Sequence, residues 1–325
     1  MVTDSVANTL MNPSFSPAPD AVLQISKEET LRRLPYSRLV PEIHRAAWEL
    51  RDGKIQAPPR LVTPMENASG SVMCMPANAA DLSIVKLLTV LPDNGPSGFP
   101  TVQGQVSVFD ATNGRPLALL DAEGVTSRRT AAVSLAGAER LLADRPGSVM
   151  VVGSGVQAAS HIEAFALYFG TRRFHLAARN MASAEAIRDG LLNNLPGLSI
   201  ALLSAGELAD FAWSRVEVVL CATTAIAPVL PVDIPASVLV VGVGAYRPDM
   251  IELPRGLIRN RKVIVDTLDG ARHEAGDLIN AELDWGEVTE ICDIARFVDP
   301  GDQNFVLKTV GHAAWDLAAC RTALG

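Results

Sequence analysis

The sequence predicts an α/β protein of two domains, one of them a doubly wound parallel sheet. Three observations predict it. The chain has 325 residues, and at roughly 100–200 residues per domain that length favours two. From Ser148 onward, short apolar runs alternate with helical patterns, the mark of parallel strands joined by crossover helices. The first of these runs ends in Gly153-Ser154-Gly155, a strand–turn–helix arrangement suited to phosphate.

Each element follows from local pattern. Residues 1–20 contain neither a basic n-region nor an apolar h-region, so they read as a frayed tail rather than a secretory signal. Residues 28–52 show helical spacing of Leu, Val, Ile and Trp, interrupted at Pro35 and Pro41. From 55 to 120 the pattern becomes short apolar runs (SVMCMPA, DLSIVKLLTVLP, VQGQVSVFD, PLALLD) between turn signals, which predicts an antiparallel or mixed sheet. Residues 124–143 read as one long helix opened by Thr126. SVMVV, FHLAAR, LSIALL, VEVVLCAT, SVLVVGVG and KVIVD then read as strands, and residues 305–324 as a final helix.

Composition narrows the function. The chain is 48% hydrophobic and 20% charged, too apolar for disorder. A net charge of -8 with 5% aromatic residues lacks both the basic surplus and the stacking platforms of a nucleic-acid binder. It leaves room for a local basic pocket that takes a small anion. The apolar stretch 216–246 is broken by Pro228, Pro231, Asp233 and Pro235, short of the about 20 unbroken residues a membrane span needs. It reads as buried sheet, so no membrane partner is expected. Cys74, Cys221, Cys292 and Cys320 are scattered, without CxxC or metal-ligand spacing. They read as reduced thiols of a cytoplasmic protein with no metal site.

Gly153-Ser154-Gly155-Val156-Gln157-Ala158 matches the GxGxxA dinucleotide fingerprint. Gly153 permits the turn, Gly155 lets the backbone approach a pyrophosphate, and Ala158 lets the helix pack close to the sheet. At the second strand end, where an Asp or Glu selects NAD, the sequence reads Ala178-Arg179-Asn180. Arg179 suits a 2′-phosphate, which favours NADPH with NADH as the weaker alternative. Thr223, Val243 and Gly244, at later strand ends, complete the expected cofactor set. In the first domain, Lys86 sits inside the apolar run IVKLLTV, where a charge must be paired or neutralised. Arg60 and Arg129 are the other candidate cations.

Pro58-Pro59-Arg60, Met75-Pro76-Ala77, Val85-Lys86, Pro100-Thr101-Val102-Gln103-Gly104, TSRRTAA from Thr126, and GSGVQAASH occur in this order. Together they resemble the ornithine cyclodeaminase/mu-crystallin family from about residue 55 to the last helix. The resemblance implies a Rossmann-type NADP(H) domain, residues 144–302, inserted into an α+β dimerisation and substrate domain, residues 1–125 and 303–325, with helix 124–143 as connector. It implies that Arg60, Lys86 and Arg129 hold a substrate carboxylate with Thr101 nearby, and that the protein is a homodimer. Asp316 matches an acidic family position and either orients Lys86 or lies on a helix surface.

One departure bears on activity. Cyclodeaminases of the family carry a catalytic Asp where this chain has Tyr246. The segment Ala245-Tyr246-Arg247-Pro248-Asp249-Met250 instead resembles the cyclic ketimine reductase branch, which generally prefers NADPH, in agreement with Arg179. The resemblance therefore implies NADPH-dependent reduction of a small cyclic imino acid: Δ1-pyrroline-2-carboxylate to L-proline, or Δ1-piperideine-2-carboxylate to L-pipecolate. Lys86 and Asp316 are the catalytic candidates. The alternatives are an ornithine cyclodeaminase or alanine dehydrogenase on the same scaffold, and, from another class, a non-catalytic NADP(H)-dependent ligand-binding protein. His312 reads as structural or as an acid near neutral pH, and His161 as packing.

Overall fold

The computed structural model describes residues 21–66, 69–298 and 302–325, so the tail expected over 1–20 lies outside the described residues. Two sheets organise the rest, and the architecture is α/β as the sequence predicts. The first is mixed and six-stranded. It uses β1 (Leu23–Ile25), β2 (Leu61–Pro64), β3 (Ser71–Asn78), β4 (Leu82–Val90), β5 (Val102–Asp110) and β6 (Pro116–Asp121) in the order β1-β6-β5-β4-β3-β2. Alternation sets its faces: Met73, Met75, Ile84, Lys86, Leu88, Val106 and Val108 point inward and are buried, as period-two patterning requires.

Helices α1 (Lys27–Arg33) and α2 (Tyr36–Arg51) precede β2. The expected break at Pro35 is present, but Pro41 is carried inside α2 on an exposed face. α2 still buries Tyr36, Leu39, Val40, Ile43, Ala46 and Ala47, and this apolar stripe outweighs one missing hydrogen bond. Helix α3 (Ala122–Leu141) begins two residues before the expected start. Its N-cap is Asp121, whose Oδ1 accepts from Gly124 N–H at 2.6 Å, so Thr126 is already one turn inside. A carboxylate at the cap satisfies an orphan donor.

The second sheet is eight-stranded and parallel throughout. Its strands are β7 (Ser148–Val152), β8 (Arg173–Ala178), β9 (Ser199–Ser204), β10 (Val218–Cys221), β11 (Leu239–Gly242), β12 (Lys262–Val265), β13 (Thr289–Glu290) and β14 (Phe305–Lys308), ordered β13-β12-β14-β11-β10-β7-β8-β9. The intervening helices are α4 (Val156–Tyr168), α5 (Met181–Asn194), α6 (Arg255–Arg259), α7 (Leu268–Glu274), α8 (Gly276–Ala281) and α9 (Ile294–Phe297). Alternate residues of β7 feed opposite cores: Val149 and Val151 join one cluster, Met150 and Val152 the other. A sheet covered on both faces needs this continuous apolar run.

Residues 305–308 correct the expectation of a helix over 305–324. They form β14, hydrogen-bonded between β11 and β12, so the chain leaves the second sheet only after Lys308 and not at 303. Helix α10 (Ala313–Leu324) then returns to pack on α2, α3, β3 and β4. Among the described residues no helix is long and apolar enough to cross a membrane.

Candidate active site

A cavity of about 370 Å³ opens where the two sheets meet. From the first-sheet side it is lined by Arg60, Met73, Met75, Lys86, Leu88, Thr101, Thr126 and Arg129, and from the second by Gly155, Val156, Gln157, Thr223, Val243, Gly244, Tyr246 and Gly311. Apolar walls with a few converging polar groups are the usual make-up of a small-molecule site.

Lys86 projects from the inner face of β4, opposite Met75 and Val106, and is 1% exposed. Its Nζ donates to Asp316 Oδ1 at 2.8 Å and to Thr126 Oγ1 at 3.4 Å. Arg129 Nε donates to the same Asp316 oxygen at 3.1 Å. Asp316 lies fully buried in α10, which excludes the helix-surface alternative: α10 is enclosed on all sides, so its polar residue faces inward. Burial lowers the Lys86 ammonium to about 8, with Asp316 opposing the shift and Arg129 adding to it. Burial works to raise the Asp316 carboxyl, but Lys86 and Arg129 outweigh it and hold the group below its ordinary value.

Arg60 reaches the cavity from the segment before β2. Its Nη2 donates to Val310 O at 3.0 Å and Gly311 O at 2.6 Å, and lies 2.7 Å from Glu274 Oε2. Among the described residues no hydrogen bond engages Arg60 Nε or Nη1, so these two donors, which point in different directions, remain for a ligand. Gly311 has φ +87°, and a Cβ there would come within 2.6 Å of Arg129 Nη1; only glycine leaves the guanidinium room. Buried Asp266 shapes this loop by accepting from Val310 and Gly311 N–H.

The glycine turn fits a dinucleotide phosphate. Gly153 has φ +127°, and a Cβ on it would meet Ala222 O at 2.5 Å. At Gly155 a Cβ would meet nothing within 4 Å, and no side chain caps α4, which leaves its N–H groups directed at open space. Gln157 Oε1 is buried and has no hydrogen-bond partner among the described residues. Gly153 N–H donates to Ala177 O at 2.8 Å, which brings the end of β8, and so Arg179, beside the turn. Arg179 is exposed and has no ion-pair partner among the described residues.

The sequence-derived candidates thus divide. Arg60, Lys86, Thr101, Arg129, Gly155, Val156, Gln157, Thr223, Val243 and Gly244 share the cavity wall. Asp316 sits behind it; Gly153, Ser154, Arg179 and Asn180 lie off it, and Asn180 caps α5 by accepting from Ser183 N–H at 3.2 Å. His161 is buried, with Nε2 3.0 Å from Ser134 Oγ and Nδ1 2.7 Å from Gln157 O, which is a packing role. His312 caps α10, and burial lowers its pKa. Sequence reasoning missed Glu274, Asp266 and the loop through Gly311. Only the glycine itself carried a signal, because the two acids act across large sequence separations.

A family model described as the ornithine cyclodeaminase/mu-crystallin family matches residues 21–323. The chain is 39% identical over 295 residues to Delta(1)-pyrroline-2-carboxylate reductase 2 of Burkholderia ambifaria, covering 91% of this chain and 93% of that protein. It is 38% identical, with the same coverage, to the Delta(1)-pyrroline-2-carboxylate/Delta(1)-piperideine-2-carboxylate reductase of Azospirillum brasilense. Among solved structures, Thermococcus litoralis Delta(1)-pyrroline-2-carboxylate reductase in complex with NADH and L-proline matches with a TM-score of 0.83 at 25% identity, covering 93% of this chain and 96% of that one.

Proposed function

The chain belongs to the ornithine cyclodeaminase/mu-crystallin family, and from that premise we propose that it is an NADPH-dependent reductase of cyclic imino acids. It converts Δ1-pyrroline-2-carboxylate to L-proline and Δ1-piperideine-2-carboxylate to L-pipecolate. The observation that carries this reading is the pairing of Lys86 and Arg129 with one buried carboxylate, with Arg60 on the same wall of a cavity that also reaches the glycine turn. The names borne by the bacterial relatives support the same chemistry. Tyr246 at the position of the cyclodeaminase Asp speaks against ammonia elimination from ornithine.

When bound, the dinucleotide supplies the hydride that adds to the imine carbon. The Nη1/Nη2 fork of Arg129 holds the substrate carboxylate, where guanidinium geometry matches two oxygens at once, and Arg60 adds a single donor beside it. Anchoring that group fixes the ring and removes unproductive poses. Lys86 keeps its proton below about pH 8; it favours the carboxylate and holds a proton for the imine nitrogen. Asp316 orients Lys86 and Arg129 together. Met73, Met75 and Leu88 supply the apolar wall for the ring methylenes.

Preference for NADPH rests on exposed Arg179 beside the glycine turn. The homodimer rests on the outer face of the first sheet, where Leu61, Cys74 and Leu87 form a cross-strand row and Leu61 and Leu87 are 65% and 52% exposed; paired copies bury such a patch. The free cysteines suit the reducing cytoplasm.

The test is loss of reduced-nicotinamide absorbance with each cyclic imine and NADPH, set beside ornithine with NAD. Stoichiometric NADPH consumption with an imine is expected. Conversion of ornithine to proline and ammonia without imine reduction overturns the reading, as does NADPH binding without turnover of either imine.

A further inference from the structure

Behind the cavity lies a second cluster of buried ions. Glu252, Asp277 and Lys308 are all enclosed, none more than 1% exposed. Lys308 Nζ lies 2.9 Å from Asp277 Oδ2. Asp277 Oδ1 accepts from the backbone N–H groups of Glu252 at 2.6 Å and Leu253 at 3.0 Å, which fixes the segment that carries Glu252. The Glu252 carboxylate in turn accepts from Thr223 N–H at 2.5 Å, Gly244 N–H at 2.7 Å and Ala245 N–H at 3.0 Å.

The partners of this cluster are the cavity's own walls. Thr223 and Gly244 follow the ends of β10 and β11 and line the cavity with Lys86. Lys308 ends β14, and the next residues, Thr309, Val310 and Gly311, line it too. Apolar side chains of similar volume commonly stabilise a core as well as buried ions do, or better. Three buried ions, one of them a carboxylate spread over three backbone donors, are therefore better explained by placement than by stability. Burial raises the Glu252 carboxyl, and Lys308 opposes that rise.

We propose that Glu252, held by Asp277 and Lys308, is a positioning residue for the reaction, its carboxylate setting the spacing of the two strand ends that share the cavity with Lys86. The proposal rests on the reductase reading of that cavity. Glu252 does not line the cavity; it acts through Thr223 and Gly244, in the way preorganised sites depend on the groups that support them.

Glu252→Gln is the near-isosteric test. Its amide oxygen still accepts from Gly244 and Ala245, but its NH2 group meets the N–H of Thr223, donor against donor. The expected result is a fall in kcat of about tenfold with the imine KM within about threefold, since placement rather than binding is lost. Amide exchange at residues 222–224 should quicken while the rest of the second sheet keeps its protection. Asp277→Asn/Lys308→Met removes the ion pair together and retains the acceptor for Glu252 N–H. It should give the same local quickening and a smaller fall in kcat at an unchanged or higher unfolding temperature, and it decides the matter if Glu252→Gln does not fold. Parental kcat and exchange overturn the proposal; so does lost activity with faster exchange throughout the sheet, which marks a general structural role. If the parental chain binds NADPH but reduces neither imine, the reductase reading fails. Local exchange and NADPH affinity of the variants then still decide the positioning role.

Discussion

Two buried lysine–aspartate pairs stand on either side of the cavity wall, and their surroundings differ in one respect. Lys86 and Asp316 meet at 2.8 Å, Lys308 and Asp277 at 2.9 Å, and all four residues are essentially unexposed. Beside the first pair stands another cation, Arg129, on the same carboxylate. Beside the second stands another carboxylate, Glu252, whose oxygens are taken up by backbone N–H groups. A surplus of positive charge at a cavity wall awaits an anion from outside. A surplus of negative charge with no opening has its own backbone for a partner. On the proposed function, the same ion pair belongs to chemistry in one place and to architecture in the other.

That contrast can be broken by exchanging effects. Lys86→Met should lower kcat/KM for the imine by about 10³-fold, the scale of losing a preorganised charge, with NADPH affinity unchanged by fluorescence titration. Its cost in stability should stay near 1–3 kcal/mol, roughly one buried charged contact, because Arg129 remains on Asp316. Lys308→Met should reverse the balance. It leaves Asp277 buried without its cation, a loss of about 3–5 kcal/mol readable by denaturant unfolding, with a smaller effect on kcat/KM. Equal losses of activity in the two variants would erase the distinction between the pairs.

Smaller effects sharpen it. Arg179→Asp should shift the ratio of kcat/KM for NADPH over NADH by about tenfold or more toward NADH, while the imine KM stays put. An unchanged ratio removes Arg179 from the phosphate site. Lys86 also gives a pH signature. Its folded-state pKa is lowered from 10.5 to about 8, so between those values an unfolded chain holds a proton that the folded chain has released. Across that window the contribution of this group to stability rises with pH, and the cost of burying its charge is fully present below it. Activity should fall above about pH 8 as the ammonium is lost, without a fall in unfolding temperature arising from Lys86. Rate and melting profiles against pH, measured on the same samples, check the sign.

Much of this was legible in the sequence because strong local patterns had no competitor. The runs around Val85-Lys86 and Met150-Val151 became strands, and Gly153 to Gln157 became the turn and helix opening. Lys86 was conspicuous because apolar residues flank it on both sides. Lys308 carries the same signal in Phe305-Val306-Leu307-Lys308, but as the last residue of a four-residue strand beside a helix. A run that short fits either period, so residues 305–308 predict a helix as readily as β14 and their lysine does not stand out. Pro41 looked like a break and is not one, since the buried stripe of α2 carries the helix across it. Asp316 was ambiguous because helix periodicity assumes one wet face, which α10 lacks. Glu274 on Arg60, and Glu252 on Thr223 and Gly244, are contacts of topology that no local pattern reports.

Central to the proposed function is recognition of a carboxylate by the cavity's surplus cations. The most direct measurement compares the parental protein, with saturating NADPH, on Δ1-pyrroline-2-carboxylate and on Δ1-pyrroline, the same ring without its carboxylate. The expected result is rapid NADPH consumption with the first and a rate lower by about 10³-fold or more with the second. Comparable rates on the two rings would contradict the account, because Arg60, Lys86 and Arg129 would then have no part in recognition.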